Sequence, residues 1–274
     1  MRKFIQTIAI ILVLSSTTVF CQDEQKSPTK FLLKYGYYAG QELKYNKTTF
    51  CNNEHYIKKE NGDKIVTFLK IKVLDSQQTD NIKLEYALDS TYRFVLNEEP
   101  KIKSSKDLEL AKVNITYTKT GKEIDKTYLD GNESSYAKNS YYSDNEILFE
   151  LPTSYISFGK SWKTNKMNKG SDISKTINYK NKLIGIESKN GHNCYRIDFV
   201  GKKDNEMGSD HFKQVEVGKV TGSYWVDKDK MIIIAVESET SFSEIKMVHS
   251  GMEVLHGKTL LVEPPHKTIF TLIE

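Results

Sequence analysis

Apolar and polar residues alternate along most of this chain. In KIVTFLKIKVLDS, Ile65, Leu69, Ile71 and Val73 fall on one side with Thr67 among them. In NIKLEYALDSTYRFV, Ile82, Leu84, Tyr86 and Leu88 alternate with Lys83, Glu85, Ala87 and Asp89. Successive side chains of a strand point to opposite faces, so each segment predicts a strand with one buried and one wet face. Turn signals separate the strands: Asn61-Gly62-Asp63, Thr120-Gly121, Lys189-Asn190-Gly191 and Asp227 to Lys230. KLIGIES and NCYRIDFV flank the third of these and predict a hairpin. VTGSYWV and MIIIAVESETSFSEIKMV flank the fourth and predict another. Two short apolar runs, Lys258 to Val262 and Thr268 to Ile273, follow on either side of Pro264-Pro265.

Helix signals are few. Ser143 to Glu146 has the spacing of a capping box ahead of ILFEL, which Pro152 stops, and the polar stretch Gly131 to Tyr142 reads as a short helix or a loop. The pattern as a whole predicts a mainly β protein, an antiparallel meander with one or two short helices inserted near the middle.

One phrase occurs twice. GQELKYNK at Gly40 to Lys47 is echoed by GKSWKTNK at Gly159 to Lys166, with Leu43 or Trp162 before the first lysine. Two readings fit: a first strand for each of two related halves, 31–130 and 151–274, or coincidence in a chain rich in lysine and asparagine. On either reading the glycine serves a turn and the echo is architecture.

The first residues have the grammar of a secretory signal. Arg2 and Lys3 precede an apolar run, Phe4 to Leu14, and a small polar stretch, and Val19 and Cys21 suit cleavage after Cys21. Residues 1–21 are therefore expected to be a signal peptide, 22–30 a disordered spacer and 31–274 a single β domain. The alternative is an outer-membrane lipoprotein acylated at Cys21, although Phe20 is large for that motif. No stretch has the ~20 apolar residues of a membrane-spanning helix, so an exported periplasmic or extracellular protein is expected, not transmembrane after cleavage.

The formal net charge is +4, and the basic residues are almost all lysine; Arg2, Arg93 and Arg196 are the arginines. That balance gives no case for a nucleic-acid partner, for which clustered arginine is the usual signature. Beyond Cys21 two cysteines remain, Cys51 and Cys194, which in an oxidising compartment either form a disulfide or stay as two buried thiols.

The chain carries no nucleophile elbow, zinc-protease helix, CxxC pair or phosphate-binding loop. His249 and His256 lack a supporting ligand, and Asp227 and Asp229 sit in a turn where aspartate is favoured for its backbone contacts. These absences predict no enzyme activity, no metal and no cofactor. The aromatic content is high, with 16 Tyr, 12 Phe and 2 Trp. Most serve core packing; a greasy concave surface for an acyl chain, glycan or peptide is the functional alternative.

TGSYWVDKDKMIIIAVESETSF resembles the strand–turn–strand unit of periplasmic lipoprotein-carrier-like (LolA-like) proteins. LPTSYISFGKSWKTN followed by LIGIESKNGHNCYRIDF is similar to uncharacterised secreted proteins of the Bacteroidetes type. The likeness implies a strongly curved antiparallel sheet, a half-barrel, whose open side is covered by short helices. It also implies a hydrophobic concavity for lipid-like ligands. A non-enzymatic envelope protein holding lipid or a lipoprotein segment is thus expected, with Phe158, Trp162 and Trp225 as ligand-binding residues. The alternative is a structural or assembly module with a fully packed core and envelope-protein partners.

Overall fold

The computed structural model describes residues 29–51, 63–76, 80–94, 101–104, 112–129, 147–169, 173–209, 212–249 and 266–273. Within these the chain is mainly β and contains no helix. The first group of strands is β1 (Glu42–Cys51), β2 (Asp63–Asp75), β3 (Asn81–Phe94), β4 (Lys101–Ser104), β5 (Val113–Thr118) and β6 (Glu123–Tyr128). The second is β7 (Ser161–Lys169), β8 (Ile173–Lys189), β9 (His192–Ser209), β10 (Phe212–Asp227), β11 (Ile233–His249) and β12 (His266–Ile273). The helix expected around ILFEL does not form: 147–151 is irregular chain whose Ile147, Leu148 and Leu151 are buried. The polar stretch Gly131 to Tyr142 and residues Ser143 to Glu146 lie outside the described residues, as do residues 1–28, which include the expected signal peptide, 1–21, and most of the expected spacer, 22–30.

All twelve strands form one antiparallel sheet in the order β6-β5-β3-β2-β1-β12-β11-β10-β9-β8-β7, with β4 on β3. Almost every neighbour is a sequence neighbour. The exceptions are the β3–β5 pair, which skips β4, and β12, which is paired on one side with β1 and on the other with β11, so that Phe270 lies between Lys47 and Val236. The sheet ends in two edges, β6 and β7, and is not closed into a barrel.

One face of every long strand turns inward. Leu43 and Tyr45, Leu69, Ile71 and Val73, and Leu84 and Tyr86 share a single core with Leu183, Ile197, Phe199 and Val226 from the second group. One end of this interior is filled by the chain that precedes β1. Leu33, Tyr35 and Tyr37 are buried there, and Phe31 bridges to Ile156. The tyrosines fit because each hydroxyl has a partner. Tyr45 donates to the Ile233 carbonyl (2.8 Å) and Tyr35 to that of Phe149 (3.0 Å), while Tyr37 accepts from the Ile233 amide (3.4 Å). Burial pushes Tyr37 up to about 12 and Tyr35 and Tyr45 well above their ordinary value, so these hydroxyls stay neutral.

The two groups of strands repeat each other in detail. Gly40 and Gly159, with φ of 83° and 78°, both end the turn before a first strand. The Gly40 amide donates to Val73 O and Val73 N to Gln41 O; the Gly159 amide donates to Leu183 O and Leu183 N to Lys160 O. A bulge follows Val73 in β2 and Leu183 in β8. Another puts Ile124 of β6 as the extra residue opposite Thr116 and Tyr117, and Ile234 of β11 opposite Trp225 and Val226. Lys119 N donates to Asp80 O and Lys228 N to Asn193 O, at the same place in the two turns. GQELKYNK and GKSWKTNK therefore occupy matching positions, β1 to β3 with β5 and β6 answering to β7 through β11. The chain before each group also crosses to the other's turn: Gly36 N donates to Met231 O, and Leu151 N to Thr120 O.

Candidate ligand-binding site

The interior is not filled throughout. Beyond the tyrosine-packed end the curled sheet lines a partly open cavity of about 580 Å³. Its walls come from β1, β5, the β5–β6 turn with the start of β6, and β7 to β12, with 147–150 along one side. An aromatic ladder forms the floor: Phe149 stacks on Tyr224 with centroids 3.8 Å apart, Tyr224 meets Phe199 at 4.8 Å, and Phe199 meets Tyr179 at 5.7 Å. Ile177, Val220, Val236 and Phe270 complete the apolar wall. Gly201 allows this packing, since a Cβ there would lie 2.7–2.9 Å from the side chains of Val220, Ile177 and Tyr179. Asn181 is buried beside them and donates to Thr164 Oγ1 (3.1 Å).

Polarity changes along the inward face of each wall strand. β1 runs from Leu43 and Tyr45 to Lys47, β7 from Trp162 and Thr164 to Lys166, β8 from Leu183 to Lys175, and β9 from Ile197 and Phe199 to Lys203. All four lysines line the cavity and are half-exposed. The Lys47 ammonium also lies 5.4 Å from the centre of the Phe270 ring.

The three aromatic residues expected to bind ligand are not brought together. Trp162 faces the same side as Thr164 but lies beside the cavity, its indole N–H donating to the Glu150 carbonyl (2.9 Å). Phe158 sits half-exposed on the turn before β7, packed on Phe31 at 4.8 Å and Tyr195 at 6.5 Å. Trp225 points to the convex face, opposite Tyr224 and Val226. Alternation separates Trp225 from its neighbours but does not say which of them faces the concavity.

On that outer face Trp225 is covered by charged stems. Its indole N–H donates to Glu187, the Lys189 ammonium stands 4.0 Å from the ring centre, and Arg196 lies beyond at 6.0 Å. Arg196 Nε donates to Asp198 (2.8 Å), Ser223 Oγ to Asp198 (2.7 Å), and Lys189 Nζ to Glu237 (2.7 Å). The hydrogen bond that Arg196 donates to Asp198 and burial act on Arg196 in opposite senses, and the carboxylates win, holding it above its usual value. Every charge here is answered, so the cluster reads as a cation–π clasp that shields the indole.

Cys194 is a free, buried thiol, its Sγ 3.6 Å from the His192 carbonyl. The Cys51–Cys194 disulfide is not formed. Pairing carries Phe50, the neighbour of Cys51, through Lys267, Glu239 and Thr221 to Val200, four strands from β1 and well along β9 from Cys194. The Cys51 side chain lies outside the described residues. Burial, then the Asp227 carboxylate, pushes the Cys194 thiol up to about 11, which disfavours the nucleophilic thiolate. His192 Nδ1 lies 2.8 Å from Asp227 Oδ2 in the adjacent turn. Among the described residues no group of His, Cys, Asp and Glu could hold a metal ion, and no helix is long and apolar enough to cross a membrane.

The chain matches no protein-family model, and no curated protein matches it.

Proposed function

We propose that this protein is an exported, non-enzymatic binder that holds the acyl chain of a lipid-like ligand inside its curled sheet, as the LolA-like segments also suggest. The observation that carries this reading is the aromatic-floored cavity bordered by half-exposed lysines. Its volume falls within the ~300–1,000 Å³ of ordinary ligand sites. Each methylene moved from water onto such walls contributes about 0.8 kcal/mol, so a medium-length chain supplies useful affinity without specific chemistry.

Filling the cavity tests the proposal without emptying the core. Ser238 and Thr268 line it from β11 and β12. Ser238→Phe with Thr268→Phe is expected to lower retention of a fluorescent fatty-acyl probe about tenfold or more while leaving the unfolding midpoint nearly unchanged. Undiminished retention in a folded variant would remove the cavity as the binding site. The tyrosine-packed end favours a second reading, a structural or assembly module of the envelope. On that reading neither the parent protein nor the variant retains the probe above background, and both capture the same envelope protein.

A further inference from the structure

The lysines at the cavity's border are placed by the sheet itself. Lys166 on β7 and Lys203 on β9 are both paired with Ile177 on β8, so the three share one row on the inward face. Lys175 lies two residues along β8 from Ile177, on the same face. Side chains directly opposite in a sheet stand ~5 Å apart at Cβ and diagonal ones ~7–8 Å, so three ammonium groups can reach one point above Ile177. An inward-facing residue of a purely apolar site would be apolar here too. Instead, on each of β1, β7, β8 and β9 the inward face passes from apolar or aromatic residues to a lysine that borders the cavity. Five lysines line the cavity against two acids, Glu123 and Glu150.

We propose that the ligand is a single-chain anionic amphiphile. Its tail lies on the Phe199–Tyr224 floor and its carboxylate or phosphate head is held by Lys166, Lys175 and Lys203. This rests on the reading of the cavity as an acyl-chain site and adds the sign and place of the head. A polar head outside the sheet would be indifferent to those lysines. A head among them gains charge-assisted hydrogen bonds in a partly dehydrated setting, where they are stronger than in bulk water. A cationic head would meet like charge.

The test uses four probes with the same tail: decanoate, decyl phosphate, decanol and decyltrimethylammonium, each titrated calorimetrically into the full mature chain. The two anions are expected to bind about tenfold or more tightly than decanol, and decyltrimethylammonium more weakly than either. The tighter of the two anions identifies the head as carboxylate or phosphate. Lys166→Gln with Lys203→Gln is expected to bring the anions down towards decanol and to leave decanol unchanged, which separates loss of charge from loss of fold. Equal binding of all four probes would overturn the anionic head while leaving the acyl-chain site standing. Binding of none would overturn both.

Discussion

Gly121→Ala is expected to destabilise the protein by about 3 kcal/mol or more, whereas Gly159→Ala should cost only about 1 kcal/mol. Both glycines have positive φ, 85° and 78°, so both substitutions meet the same backbone strain. Their surroundings differ. A Cβ at Gly159 has nothing within 4 Å, while one at Gly121 would strike the Phe149 carbonyl and lie 2.7 Å from Tyr35 Cε2. That carbonyl also accepts from the Tyr35 hydroxyl, and the Phe149 ring stacks on the cavity floor. Relieving the clash therefore means moving the cavity wall. Urea unfolding midpoints of the two variants give the comparison directly; equal losses would mean that 147–151 does not press on the β5–β6 turn.

The second large effect is expected at Asp227. Its carboxylate ends β10 and accepts from the amides of Asp229 (2.8 Å) and Lys230 (2.7 Å) and from His192 Nδ1 (2.8 Å). Asp227→Ala removes a buried acceptor from three donors of an otherwise exposed turn and should cost about 1–2 kcal/mol near neutral pH. Burial raises the carboxyl's pKa, but the Lys230 amide, His192 and the Asp229 amide together outweigh it, so it lies below the ordinary 3.8. A group depressed on folding stabilises the fold above its unfolded pKa, and that contribution is lost as pH falls through the folded value. Unfolding midpoints at about pH 7 and about pH 3 should therefore converge in Asp227→Asn relative to the parent protein. Thr118 holds the matching place in the β5–β6 turn, where its hydroxyl accepts the Lys122 amide (3.0 Å). The Thr118 hydroxyl does not ionise in this range, so it adds no such acid sensitivity.

Local features of this fold were legible in the sequence. Alternation located β2, β3 and β8 to β11, and Asn190-Gly191 is the tight turn that its composition demands, with both residues at positive φ. The echo led to matching turns because only glycine is at ease at φ near +80°. What was not legible depends on distant pairing. Nothing in HKTIFTLI says that it lies between β1 and β11, yet that strand joins the two groups into one sheet. ILFEL has helical spacing and an apparent cap; tertiary burial of Ile147, Leu148 and Leu151 decides otherwise.

The site was harder to see for a related reason. Tryptophan draws attention, but Trp225 faces outward beneath Lys189, and the cavity floor belongs to Phe149, Phe199 and Tyr224. Lysine is so common here that an inward-facing lysine cannot be told from a solvated one until registers are known. Lys166 and Lys203 gain meaning only through their shared partner, Ile177.

The central claim is that the cavity holds an acyl-chain ligand. Native mass spectrometry of the mature protein, purified gently from its own cells and measured again after extraction with organic solvent, tests it most directly. The account predicts an added mass of lipid size that disappears on extraction and is absent from Ser238→Phe/Thr268→Phe prepared in parallel. A bare polypeptide mass before and after extraction, from protein that also fails to take up decanoate, would contradict it.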